Sequence, residues 1–271
     1  MTPQKAIRQL SEKRGAPCTA LVTGATSGMG LEYARQLAAL GCNVVAVSNQ
    51  QDRLHAVATE LERQFGVRCT TFFKDLATIS AAQEVFDFCQ EINVEVDILI
   101  NNAGMFFFEE LNPGNSAKAL AMLHLHVETP MRLMMLFGEA MKKRGYGYML
   151  TMSSMAAKIP APGITVYSAT KAYLRSFTKS LFFEMRPYGV GVTAVCPGAV
   201  ATPLYNLSER YQRIAIRLGI MRTPQKLVKS ALKALFRRRR CVTPGFVNHI
   251  APACVNALPH WAVTKIWNKV R

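Results

Sequence analysis

The sequence lacks the patterns that mark a disulfide-stabilised secreted domain or a zinc-binding module. Its seven cysteines are scattered through 271 residues, and no two of them form a Cys-x-x-Cys pair. No secretory leader precedes the first cysteine, Cys18, so we expect a protein of the reducing cytoplasm. The same spacing predicts neither a disulfide framework nor a metal site.

The sequence also lacks an apolar run long enough to cross a bilayer, which takes about twenty residues in a helix. The best candidate, residues 245–263, is interrupted by two prolines and by Asn248, His249 and His260. We therefore expect no membrane-spanning helix.

Acidic residues are scarce near the C-terminus. The formal net charge is +16, and from Ser208 to Arg271 fourteen Lys or Arg residues accompany a single acid, Glu209. Two interpretations stay open: an anionic partner, such as a membrane surface that the protein binds peripherally, or a helix with a solvated basic face. No recognition motif accompanies the four arginines at 237–240, so we expect no nucleic-acid partner.

Half of the residues are apolar, and strand-like and helix-like patterns alternate along most of the chain. Short apolar segments that predict buried strands lie at 19–22, 43–48, 68–73, 97–100, 146–151 and 190–195. Helical patterns lie at 28–40, 52–65, 80–92, 117–144 and 166–186. This alternation predicts an α/β fold, a doubly wound (Rossmann) parallel sheet with helices on both faces.

No internal repeat or linker divides the chain, so we expect one domain over residues 1–271. Residues 1–17 look like a polar, basic lead-in, residues 18–202 form the regular core, and residues 203–271 form a less regular extension. Within the extension, residues 224–239 predict an amphipathic helix. Its basic face comprises Lys226, Lys229, Lys233 and Arg237, and its apolar face comprises Leu227, Ala231, Ala234 and Leu235.

A glycine-rich turn follows the first predicted strand and begins the first core helix. It reads Thr23-Gly24-Ala25-Thr26-Ser27-Gly28-Met29-Gly30. Glycines let a backbone approach a diphosphate closely, and a helix N-terminus offers unpaired N–H groups and a partial positive charge. A second turn, Asn101-Asn102-Ala103-Gly104, follows the fourth strand at the edge where α/β ligands bind. Its asparagines can cap the turn and also line a cofactor cleft.

The most specific set of candidate catalytic residues comprises a serine, a tyrosine and a lysine: Ser154, Tyr167 and Lys171. Residues four apart on a helix share one face, so Tyr167 and Lys171 can point into the same cleft. An ammonium beside a phenol lowers the tyrosine pKa from about 10 toward neutrality, which suits proton transfer. A Tyr-x-x-x-Lys pair is common on ordinary helices, so its meaning depends on the two glycine-containing turns.

Together these motifs resemble the classical short-chain dehydrogenase/reductase family over about residues 19–202. The C-terminal part is loosely similar to hydroxysteroid and long-chain 3-oxoacyl reductases. The matching features are the glycine-rich turn, Asp75-Leu76, Asn101 to Gly104, Ser154 thirteen residues before Tyr167, the Tyr167 and Lys171 pair, and Pro197-Gly198 with Thr202.

The resemblance implies an NAD(P)-dependent oxidoreductase that interconverts a ketone and a secondary alcohol. Tyr167 would be the general acid/base, Ser154 would polarise the carbonyl, and Lys171 would tune Tyr167 and bind the nicotinamide ribose. The implied cofactor site comprises Gly24, Thr26, Ser27, Gly28, Met29, Gly30, Ser48, Asn49, Asp75, Leu76, Asn101, Ala103, Gly104, Tyr167, Lys171, Pro197, Gly198, Val200 and Thr202. The family commonly pairs through two long helices, which implies a homodimer or homotetramer.

One position departs from the family pattern, because His126 stands where the family carries a catalytic asparagine. Either His126 takes over part of that role, or it is a packed helix residue and the alignment is one turn off. The end of the second strand reads Ser48-Asn49-Gln50, without the acid typical of NAD enzymes. We therefore expect NADP(H) to be preferred, with NAD(H) as the alternative.

Apolar and aromatic residues follow the motifs and predict an apolar substrate, of steroid or 3-oxoacyl type. The candidate substrate residues are Phe106, Met155 and Tyr205. The alternative function is a nucleotide-sensing or scaffold protein on the same fold.

Overall fold

The computed structural model describes residues 1–159, 161–200, 221–245 and 247–270. The described strands form one parallel sheet in the order β3-β2-β1-β4-β5-β6-β7. They are β1 (Thr19–Thr23), β2 (Asn43–Ser48), β3 (Cys69–Phe73), β4 (Ile98–Asn101), β5 (Gly147–Met152), β6 (Val190–Val195) and β7 (Cys241–Val242). The prediction of a doubly wound parallel sheet is confirmed. Only β7 was missed, because two residues are too short for a periodic pattern.

Helices cover both faces of this sheet. They are α1 (Pro3–Arg14), α2 (Gly28–Ala38), α3 (Gln51–Phe65), α4 (Ala81–Glu91), α5 (Ser116–Leu123), α6 (Thr129–Arg144), α7 (Thr165–Met185), α8 (Pro224–Phe236), α9 (Val247–Asn256) and α10 (His260–Val270). One apolar core joins the sheet to α1, α2, α3 and α8. The other joins it to α4, α6 and the end of α7. Because the strands are parallel, the helices that follow β1 and β5 begin at the same edge of the sheet, where the predicted site residues meet.

The N-terminal segment is not the lead-in that its polar composition predicts. It forms α1, whose Ala6, Ile7 and Leu10 are buried in a narrow apolar stripe. At the end of α1, Arg14 Nη1 lies 2.8 Å from Oδ2 of the fully buried Asp97. The backbone N–H of Thr19 donates to the same carboxylate oxygen at 2.8 Å. Because a buried carboxylate needs such partners, this ion pair ties the end of α1 to the start of β1 and to the residue that precedes β4.

The predicted long helix over 117–144 is interrupted in its middle. Between α5 and α6, His124–Glu128 forms one π-helical turn. Such turns are rare and are often found at functional sites. The turn carries His126, whose ring is fully buried.

The amphipathic helix predicted in the extension forms as α8. Leu227, Ala231, Ala234 and Leu235 are buried, whereas the lysines at 226, 229 and 233 are exposed. In the ranges that the structure covers, no helix is long and apolar enough to span a bilayer.

Candidate active site

A cleft of about 560 Å³ opens at the carboxyl ends of the central strands, a volume typical of cofactor and ligand sites. Many of the residues predicted for cofactor binding and catalysis lie in its wall. These are Gly24, Thr26, Ser27, Gly28, Met29, Ser48, Asn49, Asp75, Leu76, Ala103, Gly104, Ser154, Tyr167, Lys171, Pro197, Gly198 and Val200. Thr202 and Tyr205 lie outside the described residues.

The glycine-rich turn forms part of the cleft wall, and its glycines permit a tightly folded backbone. Gly24 has φ +66°, and a Cβ on Gly30 would lie 1.9 Å from the carbonyl oxygen of Gly24. Gly30 therefore lies behind the turn and permits its close packing, whereas Ser27, Gly28 and Met29 line the cleft. The side chain of Ser27 makes no capping hydrogen bond with α2, so the first-turn N–H groups stay available to an anion such as a diphosphate.

Hydrogen bonds fasten the second turn to the end of β1. The hydroxyl of Thr23 accepts from the backbone N–H groups of Asn102 at 2.9 Å and Ala103 at 3.0 Å. The side chain of Asn102 in turn donates to the Thr23 carbonyl at 3.0 Å. Asn102 lines the cleft, whereas Asn101 is buried with its Nδ2 at 3.4 Å from the carbonyl of Pro130. Of the two adjacent asparagines, the family resemblance predicts Asn101 in the cleft wall, whereas the structure places Asn102 there.

Polar side chains line the end of the cleft nearest β2 and β3. The hydroxyls of Thr26 and Ser48 are 2.8 Å apart, and Thr26 also donates to Gln50 at 3.1 Å. Gln50 and Lys74 are lining residues that the sequence analysis did not single out. The sequence could have indicated Lys74, since it directly follows β3 just as Asn49 directly follows β2. Lys74 forms an ion pair with Glu84, which lowers the pKa of that carboxyl.

The predicted triad of Ser154, Tyr167 and Lys171 converges on the same cleft. Ser154 follows β5 and caps a short 3₁₀ turn, accepting from the N–H of Ala156 at 3.1 Å. Tyr167 and Lys171 lie one helical turn apart near the start of α7, with Lys171 Nζ 5.6 Å from the centre of the Tyr167 ring. The structure therefore brings a hydroxyl, a phenol and an ammonium together at one wall.

Lys171 is buried and tightly held. Its Nζ donates to the carbonyl of Met152 at 3.0 Å, and its own backbone carbonyl accepts from the hydroxyl of Ser153 at 2.7 Å. Burial lowers the pKa of the ammonium to about 8. Because desolvation disfavours the charged form, Lys171 gives up its proton more readily than an exposed lysine does, and a nearby phenolate would favour the ammonium again.

His126 links the second turn to helix α7. Its Nε2 accepts from the backbone N–H of Met105 at 3.0 Å, and its Nδ1 lies 3.1 Å from the hydroxyl of Thr170. That hydroxyl donates to the carbonyl of Tyr167 at 2.8 Å, so the proton between His126 and Thr170 belongs to Nδ1. Burial, and then the charge of Lys171, hold the pKa of His126 well below its usual range.

Apolar groups lie beside Tyr167. Phe106 meets its ring edge-on, with centroids 5.0 Å apart and an interplanar angle of 87°. Phe107 and Met122 are buried in the same cluster, and Ala156 packs against it. Met155 is half-buried in the 3₁₀ turn after Ser154. The triad thus borders an apolar region.

Comparison with known proteins agrees with this geometry. The chain matches the short chain dehydrogenase family over residues 18–212. It is 31% identical over 256 residues to the human very-long-chain 3-oxoacyl-CoA reductase, covering 91% of this chain and 77% of that protein. It is 30% identical over 218 residues to the mouse 17-beta-hydroxysteroid dehydrogenase type 3, covering 79% and 68%.

A similar solved structure is the short-chain dehydrogenase of Sphingobium yanoikuyae in complex with NADPH. It superposes with a TM-score of 0.77 at 26% identity, covering 94% of this chain and 96% of that one. The family match, the similarity to these relatives and the doubly wound sheet all indicate the same family. The chain therefore belongs to the short-chain dehydrogenase/reductase family and is an NAD(P)-dependent oxidoreductase.

Proposed function

We propose that this oxidoreductase interconverts a ketone and a secondary alcohol on an apolar substrate, of steroid or 3-oxoacyl type. The observation that carries the proposal is the meeting of Ser154, Tyr167 and Lys171 in the wall of one cleft. The aromatic cluster around Phe106 and Phe107 supports an apolar substrate. The similarity to relatives named for 3-oxoacyl-CoA and hydroxysteroid chemistry supports the same class.

In this proposal the nicotinamide dinucleotide, when bound, supplies or accepts the hydride at the substrate carbon. Tyr167 gives a proton to the carbonyl oxygen during reduction and takes it back during oxidation. Ser154 donates a hydrogen bond to the same oxygen and stabilises the charge that develops on it. The ammonium of Lys171 favours the phenolate form of Tyr167 after the proton has left. The open N–H groups of α2 hold the diphosphate.

Replacing Tyr167 by Phe tests the proton-transfer role directly. Phe keeps the ring and its packing against Phe106, but it has no proton to transfer. We expect the turnover number to fall by about 10²–10⁴-fold with cofactor affinity nearly unchanged. Lys171→Ala, in contrast, should reduce both turnover and cofactor affinity. Near wild-type turnover of Tyr167→Phe on a substrate that the enzyme accepts would contradict this role.

We propose NADP(H) as the preferred cofactor. The end of β2 offers Ser48 and Asn49 without a carboxylate, and the ammonium of Lys74, which is ion-paired with Glu84, lies at the same end of the cleft. Hydrogen-bond donors and a nearby cation suit the additional phosphate of NADP. NADP-bound solved relatives support this choice.

Fluorescence titration with NADPH and NADH measures that preference. We expect the wild-type protein to bind NADPH modestly more tightly. Asn49→Arg should widen the difference by adding a partner for the phosphate, whereas the similarly sized Asn49→Asp should reverse it by charge repulsion. If wild type favours NADH clearly, or if Asn49→Asp leaves the ratio unchanged, the assignment of this strand end is wrong.

We further propose that His126 positions the active site rather than taking part in the chemistry. As a neutral ring with its proton on Nδ1, it connects the backbone of Met105 in the cofactor turn to Thr170 in the catalytic helix. Protonation would direct a second N–H toward the N–H of Met105 and place a cation beside Lys171. The neutral form is therefore required for the connection.

Two variants separate the contacts of His126. Its replacement by Gln can keep an acceptor near the Nε2 position, whereas Ala removes both hydrogen bonds. We expect cofactor affinity and turnover to fall further in His126→Ala than in His126→Gln. His124→Gln, on the same π turn but partly exposed, serves as the control and should behave as wild type. Nitrogen NMR of histidine-labelled protein at neutral pH should show His126 as the neutral Nδ1–H tautomer. A ring protonated on Nε2 would contradict the proposal.

The basic C-terminal region suits peripheral contact with an anionic membrane, which we propose as the location of the enzyme within the cytoplasm. Lys226, Lys229 and Lys233 form an exposed row on α8, and Trp261 on α10 is 71% exposed. Each basic residue near an anionic surface contributes about 1 kcal/mol. An exposed indole and a basic row are both typical of interfacial segments.

Co-sedimentation with vesicles tests the membrane contact. We expect binding to anionic vesicles at low salt, weaker binding at high salt, and little binding to neutral vesicles. Replacing the three α8 lysines by Gln should reduce the bound fraction, because it removes charge without disturbing the buried face. Protein that stays in the supernatant under every condition would leave the basic row as a solvated face.

We also propose that the enzyme forms a homodimer or homotetramer. Met135 on α6 and Phe183 on α7 are 62% and 55% exposed, which suits pairing through these long helices. Sedimentation velocity measures the assembly.

A further inference from the structure

Two cysteines meet at the end of the sheet, beside the cleft but outside the catalytic triad. Cys196 directly follows β6, and Cys241 is the first residue of the edge strand β7. Their sulfur atoms are 3.8 Å apart. A disulfide needs about 2.05 Å between sulfurs. Because Cys241 pairs with Ala194 in the sheet and Cys196 lies two residues further along the chain, closing the bond would shift the backbone of these strand ends as well as the side chains.

The two thiols differ in access and in charge. Cys196 is fully buried, whereas Cys241 is half-buried. The hydrogen bond from Cys196, and then the cations Arg175, Lys179 and Lys158, lower the pKa of the Cys241 thiol below its usual range. The same hydrogen bond, and then burial, raise the pKa of Cys196. An accessible thiolate beside a protonated thiol is the arrangement in which one sulfur attacks an oxidant and the other then forms the disulfide.

The remaining cysteines lack this combination. Cys18 and Cys42 approach more closely, at 2.9 Å, but both are fully buried. Burial also holds the pKa of Cys42 well above its usual range. Cys254 is exposed, and within the described residues no second thiol lies near it. Cys18 and Cys42 are thus close together without being accessible, and Cys254 is accessible without a neighbouring thiol among the described residues.

We propose that Cys241 and Cys196 form an oxidation site at which a hydroperoxide converts the two thiols into a disulfide beside the cofactor cleft. The thiolate of Cys241 attacks the terminal oxygen of the peroxide, so that an S–O bond forms and the O–O bond breaks, and the alkoxide or hydroxide that leaves takes a proton from solvent to become an alcohol or water. The sulfur of Cys196 then attacks Cys241, and the hydroxyl leaves as water with the proton of Cys196. Two electrons pass from the thiols to the peroxide.

The disulfide would act on the cofactor cleft through the residues that follow Cys196. Pro197 and Gly198 line the cleft, and the carbonyl of Pro197 accepts from the N–H of Met155 at 2.7 Å. This bond fixes the turn that carries Ser154. Drawing Cys196 toward β7 would displace both the cleft wall and that turn.

Mass spectrometry after hydrogen peroxide treatment tests the proposal. Free thiols are alkylated after denaturation, and peptides are compared without and with reduction. We expect a Cys196–Cys241 cross-link to appear before Cys254 is modified, while Cys18 and Cys42 remain thiols. NADPH should bind the oxidised protein several-fold more weakly, and dithiothreitol should restore binding.

Three variants locate the chemistry within the pair. Cys241→Ser should abolish the cross-link, Cys196→Ser should leave a sulfenic acid on Cys241 that dimedone traps, and Cys254→Ser should behave as wild type. Two results on the wild-type protein would contradict the proposal. Oxidation of Cys254 while Cys241 stays reduced would rule out the oxidation site, and unchanged NADPH affinity in fully cross-linked protein would rule out the effect on the cleft.

Discussion

A buried ammonium is the constraint on which the rest of this active site depends. Lys171 carries its charge into a buried position in the cleft wall, where an unpaired cation would be strongly unfavourable. The structure compensates with the carbonyl of Met152, at the end of β5, and anchors the lysine backbone through Ser153. The ammonium therefore lies where the end of β5, the catalytic helix α7 and the cofactor cleft meet, and its charge can act on the phenol of Tyr167.

The parallel sheet makes that meeting possible. Because all strands run in one direction, their carboxyl ends share one edge, and the turns after β1, β4, β5 and β6 surround a single cleft. Hydrogen bonds between neighbouring turns make the edge rigid. Thr23 fastens the second turn to β1, His126 fastens it to α7, and Pro197 fastens the Ser154 turn to β6.

Local patterns in the sequence predicted much of this arrangement. The glycine-rich turn and the Tyr167 and Lys171 pair are short motifs whose geometry is set by a strand–helix junction and by helical spacing, so their placement needs no tertiary information. Contacts between distant segments were less accessible. The two hydrogen bonds of His126, the cleft position of Asn102 instead of Asn101, and the docking of α1 through Arg14 all depend on partners far along the chain. Nothing in the local sequence specifies those partners.

Following deuterium from the C4 position of NADPH tests the central claim most directly. NADPH labelled on one or the other face of the nicotinamide is incubated with the enzyme and an apolar ketone of the acyl or steroid type. The account predicts one deuterium on the carbon that bears the new hydroxyl, transferred from one face only, with the hydroxyl proton drawn from solvent. If the protein binds NADPH but none of these ketones acquires the label, the chain does not carry out the proposed reaction.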